Sequence, residues 1–379
     1  MIKFWSYQAE YKNIRKRLLK SIDSTIKKGA IFFGKQLKSF EKNFIRENNG
    51  SYGAAVGSGT DALIIALKVF NISRGDEVIT VSNTAIPTVS AITNVGARAR
   101  FVDIGDDYLI DVSKIEKLIN KRTKAIIPVH LYGQSCDMDK INKIAKKYNL
   151  KVIEDCAQAQ GAKYKGKFVG TLGDAGCFSF YPTKILGAYG DGGFVLIKEL
   201  NFYKKIKRLR FYGIETIDKK NKFFNNYYAN ENGINSRLDE IQATILNIKL
   251  KNTINDIKKR KKIAKFYINH LKDTSLILPN ETKNRSHVYH LFTIYHPKGN
   301  EIIKKMMSKK IQLRKIYPFP VHLMKAYKKI VKDNNKSLKN TILKSKGIFC
   351  LPLYPNLKIS EMNKIVNTLN KILYNNKWQ

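Results

Sequence analysis

Six short runs dominated by apolar residues recur along the first half of the chain, each bounded by polar or glycine-bearing segments. They are Glu77–Val81, Ala99–Asp103, Ala125–Val129, Lys151–Glu154, Cys177–Phe180 and Gly193–Ile197. Runs of this length without strict alternation predict strands covered on both faces. Helical segments between most of them predict a mainly parallel sheet with helices on both faces, an α/β fold. After Gln242 the pattern changes. A charged helix is predicted over Asn247–Leu271, and His287–Ile294 predicts a strand in a smaller C-terminal α+β domain. The expected division is a large domain over 1–245 and a small one over 246–379. Residues 216–232, rich in Asn, Lys and Tyr, have no clear period and predict a mobile loop.

Two of the runs end in polar residues that carry chemistry. Open parallel sheets deliver such residues to the rim at the carboxyl ends of their strands, where ligands bind. Val152-Ile-Glu-Asp-Cys-Ala-Gln158 brings Asp155 to that rim, with Gln158 one turn on. Gly176-Cys-Phe-Ser-Phe-Tyr-Pro-Thr-Lys184 brings Ser179 and then Lys184. A lysine facing a buried acid suits Schiff-base chemistry on pyridoxal phosphate, in which the carboxylate keeps the pyridine nitrogen protonated so that the ring accepts electrons. Either piece alone reads better as part of a structural ion pair. A third segment, Gly53–Leu67, reads as an apolar entry, a Gly57-Ser-Gly-Thr60 turn and an amphipathic helix. Ser58, Thr60 and Asp61 are cap types, and a helix N-terminus offers N–H groups and a positive dipole end to a phosphate. The segment lacks the Gly-Lys-Ser/Thr ending of a P-loop and the third glycine of a dinucleotide fingerprint.

Taken in order, these segments resemble the DegT/DnrJ/EryC1/StrS sugar aminotransferases, pyridoxal-phosphate enzymes of fold type I. The resemblance extends through Gly75-Asp-Glu-Val-Ile79, Pro128-Val-His-Leu-Tyr-Gly133, Gly190-Asp-Gly-Gly193, Gly233-Ile-Asn-Ser-Arg237 and Leu351-Pro-Leu353. It implies that Lys184 binds the cofactor covalently and shuttles protons, with Asp155 at the pyridine nitrogen and Gln158 near the ring hydroxyl. Ser58, Gly59, Thr60 and Ser179 would seat the phosphate. Asn235 would reach it from a neighbouring subunit, so that a homodimer shares its active sites. Arg237 serves either an anionic group or an ordinary salt bridge. Tyr181, Arg210, Tyr212, Tyr317 and His322 are candidates for lining the sugar and diphosphate site, each with a structural role as the alternative. The resemblance further implies L-glutamate as donor, leaving as 2-oxoglutarate, and a keto-sugar on a nucleotide carrier as acceptor. C3 of a dTDP-linked 3-keto-6-deoxyhexose is the expected position, with C4 as the alternative, for amino sugars of surface glycans. Two departures stand out. Ala85 occupies a position where relatives often stack an aromatic on the ring, and Ile316 stands where many have histidine.

Length and composition bound the rest. At 379 residues the chain can bury a large core, and its 43% hydrophobic content is ordinary for a globular protein. No stretch approaches a membrane span or a signal-peptide apolar core, so a cytoplasmic enzyme is expected. Four dispersed cysteines and six histidines suggest neither a disulfide framework nor a metal site. His287-Val-Tyr-His290 has metal-pair spacing for a helix, but as a strand it turns the rings to opposite faces. The net charge of +40 raises nucleic-acid binding. No recognition motif accompanies the charge, and the lysines of Lys249–Lys265 and Lys304–Lys310 look like solvated helix faces, so neither nucleic acid nor membrane is an expected partner. A positive field would instead draw in a nucleotide-sugar diphosphate.

Overall fold

The computed structural model describes residues 1–215, 228–328, 338–376 and 378. Seven strands form the main sheet: β1 (Tyr52–Val56), β2 (Glu77–Val81), β3 (Arg98–Val102), β4 (Thr123–Ile126), β5 (Lys151–Asp155), then β8 (Ala175–Ser179) and β9 (Gly193–Ile197). Between β5 and β8 lies a small hairpin, β6 (Lys163–Tyr164) with β7 (Lys167–Phe168). The spatial order is β1-β9-β8-β5-β4-β2-β3. All neighbours from β8 to β3 run parallel, whereas β9 is antiparallel to both β1 and β8. The sheet is therefore mainly parallel, as expected, with one strand reversed.

Strand alternation sends side chains to two buried faces. Ala54, Val56, Val195 and Cys177 pack with α3 (Gly59–Val69), α4 (Ile86–Asn94) and α6 (Leu200–Leu209). Ala55, Phe178, Phe194 and Leu196 face α2 (Lys35–Glu47) and α7 (Glu240–Leu250). Helix α1 (Gln8–Lys27) packs on α7, and α5 (Met138–Lys147) covers β2, β4 and β5. The N-terminus of α2 begins at Gly34 without a cap from its own side chains. Instead the buried carboxylate of Glu240 accepts from the Gly34, Gln36 and Leu37 amides at 2.8–3.0 Å.

A second apolar cluster surrounds the two-stranded sheet of β10 (Phe292–Tyr295) and β11 (Ile348–Leu351). It is built from α8 (Thr253–Leu271), α9 (Gly299–Ser308) and α12 (Ile359–Asn375), and Ile2 joins it from the start of the chain. Two short helices, α10 (Lys325–Lys328) and α11 (Lys339–Gly347), complete the described α-helices.

Three expectations need correction. The helix predicted over Asn247–Leu271 is two helices, broken at Lys251–Asn252 between α7 and α8. The strand predicted over His287–Ile294 begins only at Phe292. Before it, Tyr289 takes φ +51°, and its carbonyl and that of His290 accept from Arg260 Nη1 at 3.3 Å. His287 and His290 are both buried, and burial pushes the His287 imidazole down to about 3. Nor are all the charges of Lys249–Lys265 solvated: Lys249 is buried and pairs with Glu10 at 3.0 Å, and Arg260 is buried as well. The loop predicted over 216–232 lies outside the described residues from 216 to 227; after it, Ala229 bridges to Ile214.

Candidate active site at the carboxyl-end rim

Strand β5 ends in Asp155, a buried carboxylate. Thr88 Oγ1, on α4, donates to its Oδ2 at 2.8 Å, and the Ala157 amide donates to Oδ1 at 3.1 Å. Burial pushes the carboxyl above its usual range, while these donors and the charge of Lys184 pull it back. Thr88 was not singled out in the sequence. Its only signal there is spacing, since Thr84 and Thr88 lie one helical turn apart and share a hydrogen bond of 2.9 Å.

Lys184 follows β8 in a tight turn, its amide donating to the Tyr181 carbonyl at 2.9 Å. Burial pushes its amine down to about 8, opposed by the charge of Asp155. The two groups the sequence placed on separate strand ends are thus brought within electrostatic reach. Gln158 is fixed at both ends of its amide: Oε1 accepts from the Tyr132 N–H at 2.9 Å, and Nε2 donates to Tyr317 Oη at 2.6 Å. Burial and the Asp155 charge raise the Tyr317 hydroxyl, which keeps it protonated.

Beside these groups three chain segments converge. Helix α3 is capped by Ser58, whose hydroxyl accepts from the Asp61 amide at 3.1 Å. That leaves the Gly59 and Thr60 amides as the leading N–H groups of the helix. Ser179, at the end of β8, lies so close that a Cβ on Gly59 would sit 2.6 Å from its own. Gly193, at the start of β9, presses on the Ser58 carbonyl, where a Cβ would come within 2.2 Å. A clamp holds the turn: Ser236 donates to Asp61 at 2.8 Å and accepts from the Gly57 amide at 2.9 Å.

The other candidates divide. Asn235 is exposed and forms a bridge with Phe211, five residues ahead of α7, which Asp239 caps. Asn235 therefore neither starts nor caps that helix. Arg210 is buried, with Nη1 donating to Glu41 at 2.5 Å and to the Ala55 carbonyl at 2.8 Å, so its hydrogen bonds favour the structural alternative. Arg237 lies over the Phe32 ring at 4.4 Å, with no acidic partner among the described residues. Tyr181 and Tyr212 are exposed, and His322 is buried with Nδ1 2.6 Å from the Ser82 hydroxyl. Ala85 precedes α4 half-buried, with Ile86 exposed beside it.

Behind the rim, His130, Glu154 and Cys156 bring potential ligand atoms within 4.8 Å of one another, a grouping invisible in the sequence. Their hydrogen bonds are already assigned. His130 Nδ1 accepts from the Cys136 amide, so its Nε2–H donates to Glu154 at 2.9 Å. Glu154 also accepts from the Gly170, Leu172 and Gly173 amides. The chemistry does not sit in the broadest groove among the described residues. That groove, about 1220 Å³, runs between the segment after β3, α5 and residues 277–293, whereas Lys184 lines a space of about 40 Å³ with Trp5, Tyr7 and Tyr354.

The donor set fits a phosphorylated pyridine aldehyde. An amine weakened as a base can bond the aldehyde, a buried acid can hold a ring proton, and a cradle that any side chain at Gly59 would fill can take a phosphate. Comparison with known proteins agrees. The model of the DegT/DnrJ/EryC1/StrS aminotransferase family matches residues 12–370. The chain is 39% identical over 376 residues to a dTDP-3-amino-3,4,6-trideoxy-alpha-D-glucose transaminase of Micromonospora megalomicea subsp. nigra, covering 97% of this chain and 98% of that one. It is 38% identical to a dTDP-3-amino-3,6-dideoxy-alpha-D-galactopyranose transaminase of Aneurinibacillus thermoaerophilus, covering 99% and 100%. The crystal structure of S. venezuelae DesV in complex with a ketimine intermediate superposes with a TM-score of 0.92 at 32% identity, covering 98% of each chain.

Proposed function

Because the chain belongs to the DegT/DnrJ/EryC1/StrS aminotransferase family, we propose that it moves an amino group from L-glutamate to C3 of a dTDP-linked 3-keto-6-deoxyhexose. It is a pyridoxal phosphate-dependent transaminase of fold type I acting on nucleotide sugars. The position on the sugar is supported by the two relatives above, both named for a 3-amino product. The observation that carries the site assignment is the pairing of Lys184 and Asp155 across the rim, each shifted by burial and restrained by the other's charge.

Pyridoxal phosphate, when bound, supplies the electron sink that stabilises negative charge at the reacting carbon. The chain's own residues do the rest. With the cofactor bound, Lys184 Nζ would carry a proton from the donor's α-carbon to the cofactor's C4′, and in the second half from C4′ to the sugar carbon. The Asp155 carboxylate, fixed by Thr88 and the Ala157 amide, holds a proton at the ring nitrogen. The Gly59 and Thr60 amides and the Ser179 hydroxyl bind the phosphate, and Asn235 completes that seat in a second copy of the chain. Gln158, locked by Tyr132 and Tyr317, orients the ring hydroxyl. In this reading residues 1–245 form the cofactor-binding domain and 246–379 the small domain, with Ile2 packed into the apolar cluster of the latter.

The test is spectroscopic and chemical. Glutamate should abolish the bound cofactor's visible band, and the keto-sugar should restore it. NMR should place the new nitrogen at C3. Nitrogen at C4 overturns the position, and a band that never responds to glutamate overturns the donor.

A further inference from the structure

At the opposite rim of the sheet, roughly 17 Å from the carboxyl ends for strands of five residues, the chain gathers arginines. It has only 13 arginines against 57 lysines, yet Arg74, Arg98, Arg100 and Arg122 meet there. Arg74, Arg98 and Arg122, with Gly75 and Gly96, line an exposed depression of about 300 Å³. The buried carboxylate of Glu77 organises one side: it accepts from Arg122 Nε at 3.0 Å and Asn120 Nδ2 at 2.7 Å, and lies 3.5 Å from Arg100 Nη1. Gly96, at φ +83°, lets the backbone of Arg74 pass close by, since a Cβ there would lie 3.2–3.3 Å from Arg74 atoms. Among the described residues the guanidinium groups of Arg74 and Arg98 have no acidic partner, and Asp76 is engaged by the Ser73 amide at 2.9 Å.

Edge protection explains part of this. Strand β3 is the sheet's edge, and charges on an edge block pairing with other chains. Lysine would serve as well there, and edge protection says nothing about Arg74 and Arg122, which come from two other loops. Arginine differs from lysine in presenting a planar fork that grips oxyanions through paired N–H groups. We propose that this depression is a binding site for a phosphate or diphosphate group of a small molecule, separate from the active site. Glu77 positions Arg122, while Arg74 and Arg98 supply the groups that close on the anion.

The test uses the cofactor-loaded enzyme, whose own phosphate seat is filled, titrated calorimetrically with inorganic pyrophosphate at fixed ionic strength. The discriminating variant is Arg74→Lys with Arg98→Lys, which keeps the net charge and disturbs no hydrogen bond of either guanidinium. Saturable binding weakened tenfold or more in the variant, with the glutamate half-reaction unchanged, is the expected result. Binding equal in the two proteins would mean attraction to the general positive surface or to the substrate's diphosphate site, and would overturn the proposal. So would the absence of saturable binding to the unaltered enzyme. Inorganic phosphate in a parallel titration separates the sources: equal affinity assigns a single phosphate, tighter pyrophosphate a diphosphate.

Discussion

At Lys184 one ionisation governs whether the site can be loaded. With its amine pushed down to about 8 by burial, about a tenth of it is neutral at pH 7, several hundredfold more than for an ordinary lysine. Capture of pyridoxal phosphate by the apoprotein should therefore speed up about tenfold per pH unit below pH 8 and level off above it; a flat profile from pH 6 to 9 would contradict this. The sign for stability follows from proton counting. Between about 8 and 10.5 the unfolded chain holds more protons at this residue than the folded apoprotein, so its contribution to stability rises with pH over that window. Replacing Lys184 by Ala should leave a folded protein whose turnover falls by about 10³-fold or more. Asp155→Asn should keep the cofactor bound through the phosphate seat but lose turnover, measured by product formation at full cofactor occupancy. Thr88→Val removes a donor that opposes the burial of Asp155, so the acid limb of the activity profile should move to higher pH.

Among the elements, the phosphate seat depends on contacts that no added side chain fits. Gly59→Ala drives a methyl into Ser179 and should weaken cofactor binding about tenfold or more, read by equilibrium dialysis, since the loss of one good anion contact is worth a kcal/mol or so. Glu240→Ala strips three amides at the start of α2 of their buried acceptor and should cost about 3 kcal/mol in denaturant unfolding. Much of this level was legible in advance. Glu77–Val81 and Gly193–Ile197 are strands as predicted, because short apolar runs between turns leave few alternatives. The reversal of β9 was not, since a strand buried on both faces has no sequence mark of its direction. The broken helix at Lys251–Asn252 has neither Pro nor Gly to announce it. The over-long strand at His287 fails because a distant arginine, Arg260, takes carbonyls that a strand would need. The placing of Asp155 and Ser179 at strand ends, with Gln158 and Lys184 just beyond, was readable because those motifs are local. Thr88 and Glu240 act on partners 67 and more than 200 residues away and leave no such trace.

For the molecule as a whole, the exposed Asn235 makes the proposed sharing of sites between two copies testable. Lys184→Ala should be inactive and Asn235→Ala impaired, yet mixing them after subunit exchange should restore about a quarter to a half of the activity, since a mixed pair holds one site with both residues intact. No recovery on mixing, with Asn235→Ala itself impaired, would confine the asparagine to its own subunit. The reversed strand β9 bears on how the molecule is made. It pairs along its whole length with β1, more than 130 residues earlier, and with β8 on its other side. Its first residue, Gly193, closes on the Ser58 carbonyl beside the phosphate seat. Contacts so distant in sequence form late, because closing the intervening loop costs entropy before any pairing repays it. A growing chain released from the ribosome only as far as β8 would hold Ser179 and the start of α3 without the strand that joins them, and the cofactor could be retained only after β9 had been synthesised and threaded into place.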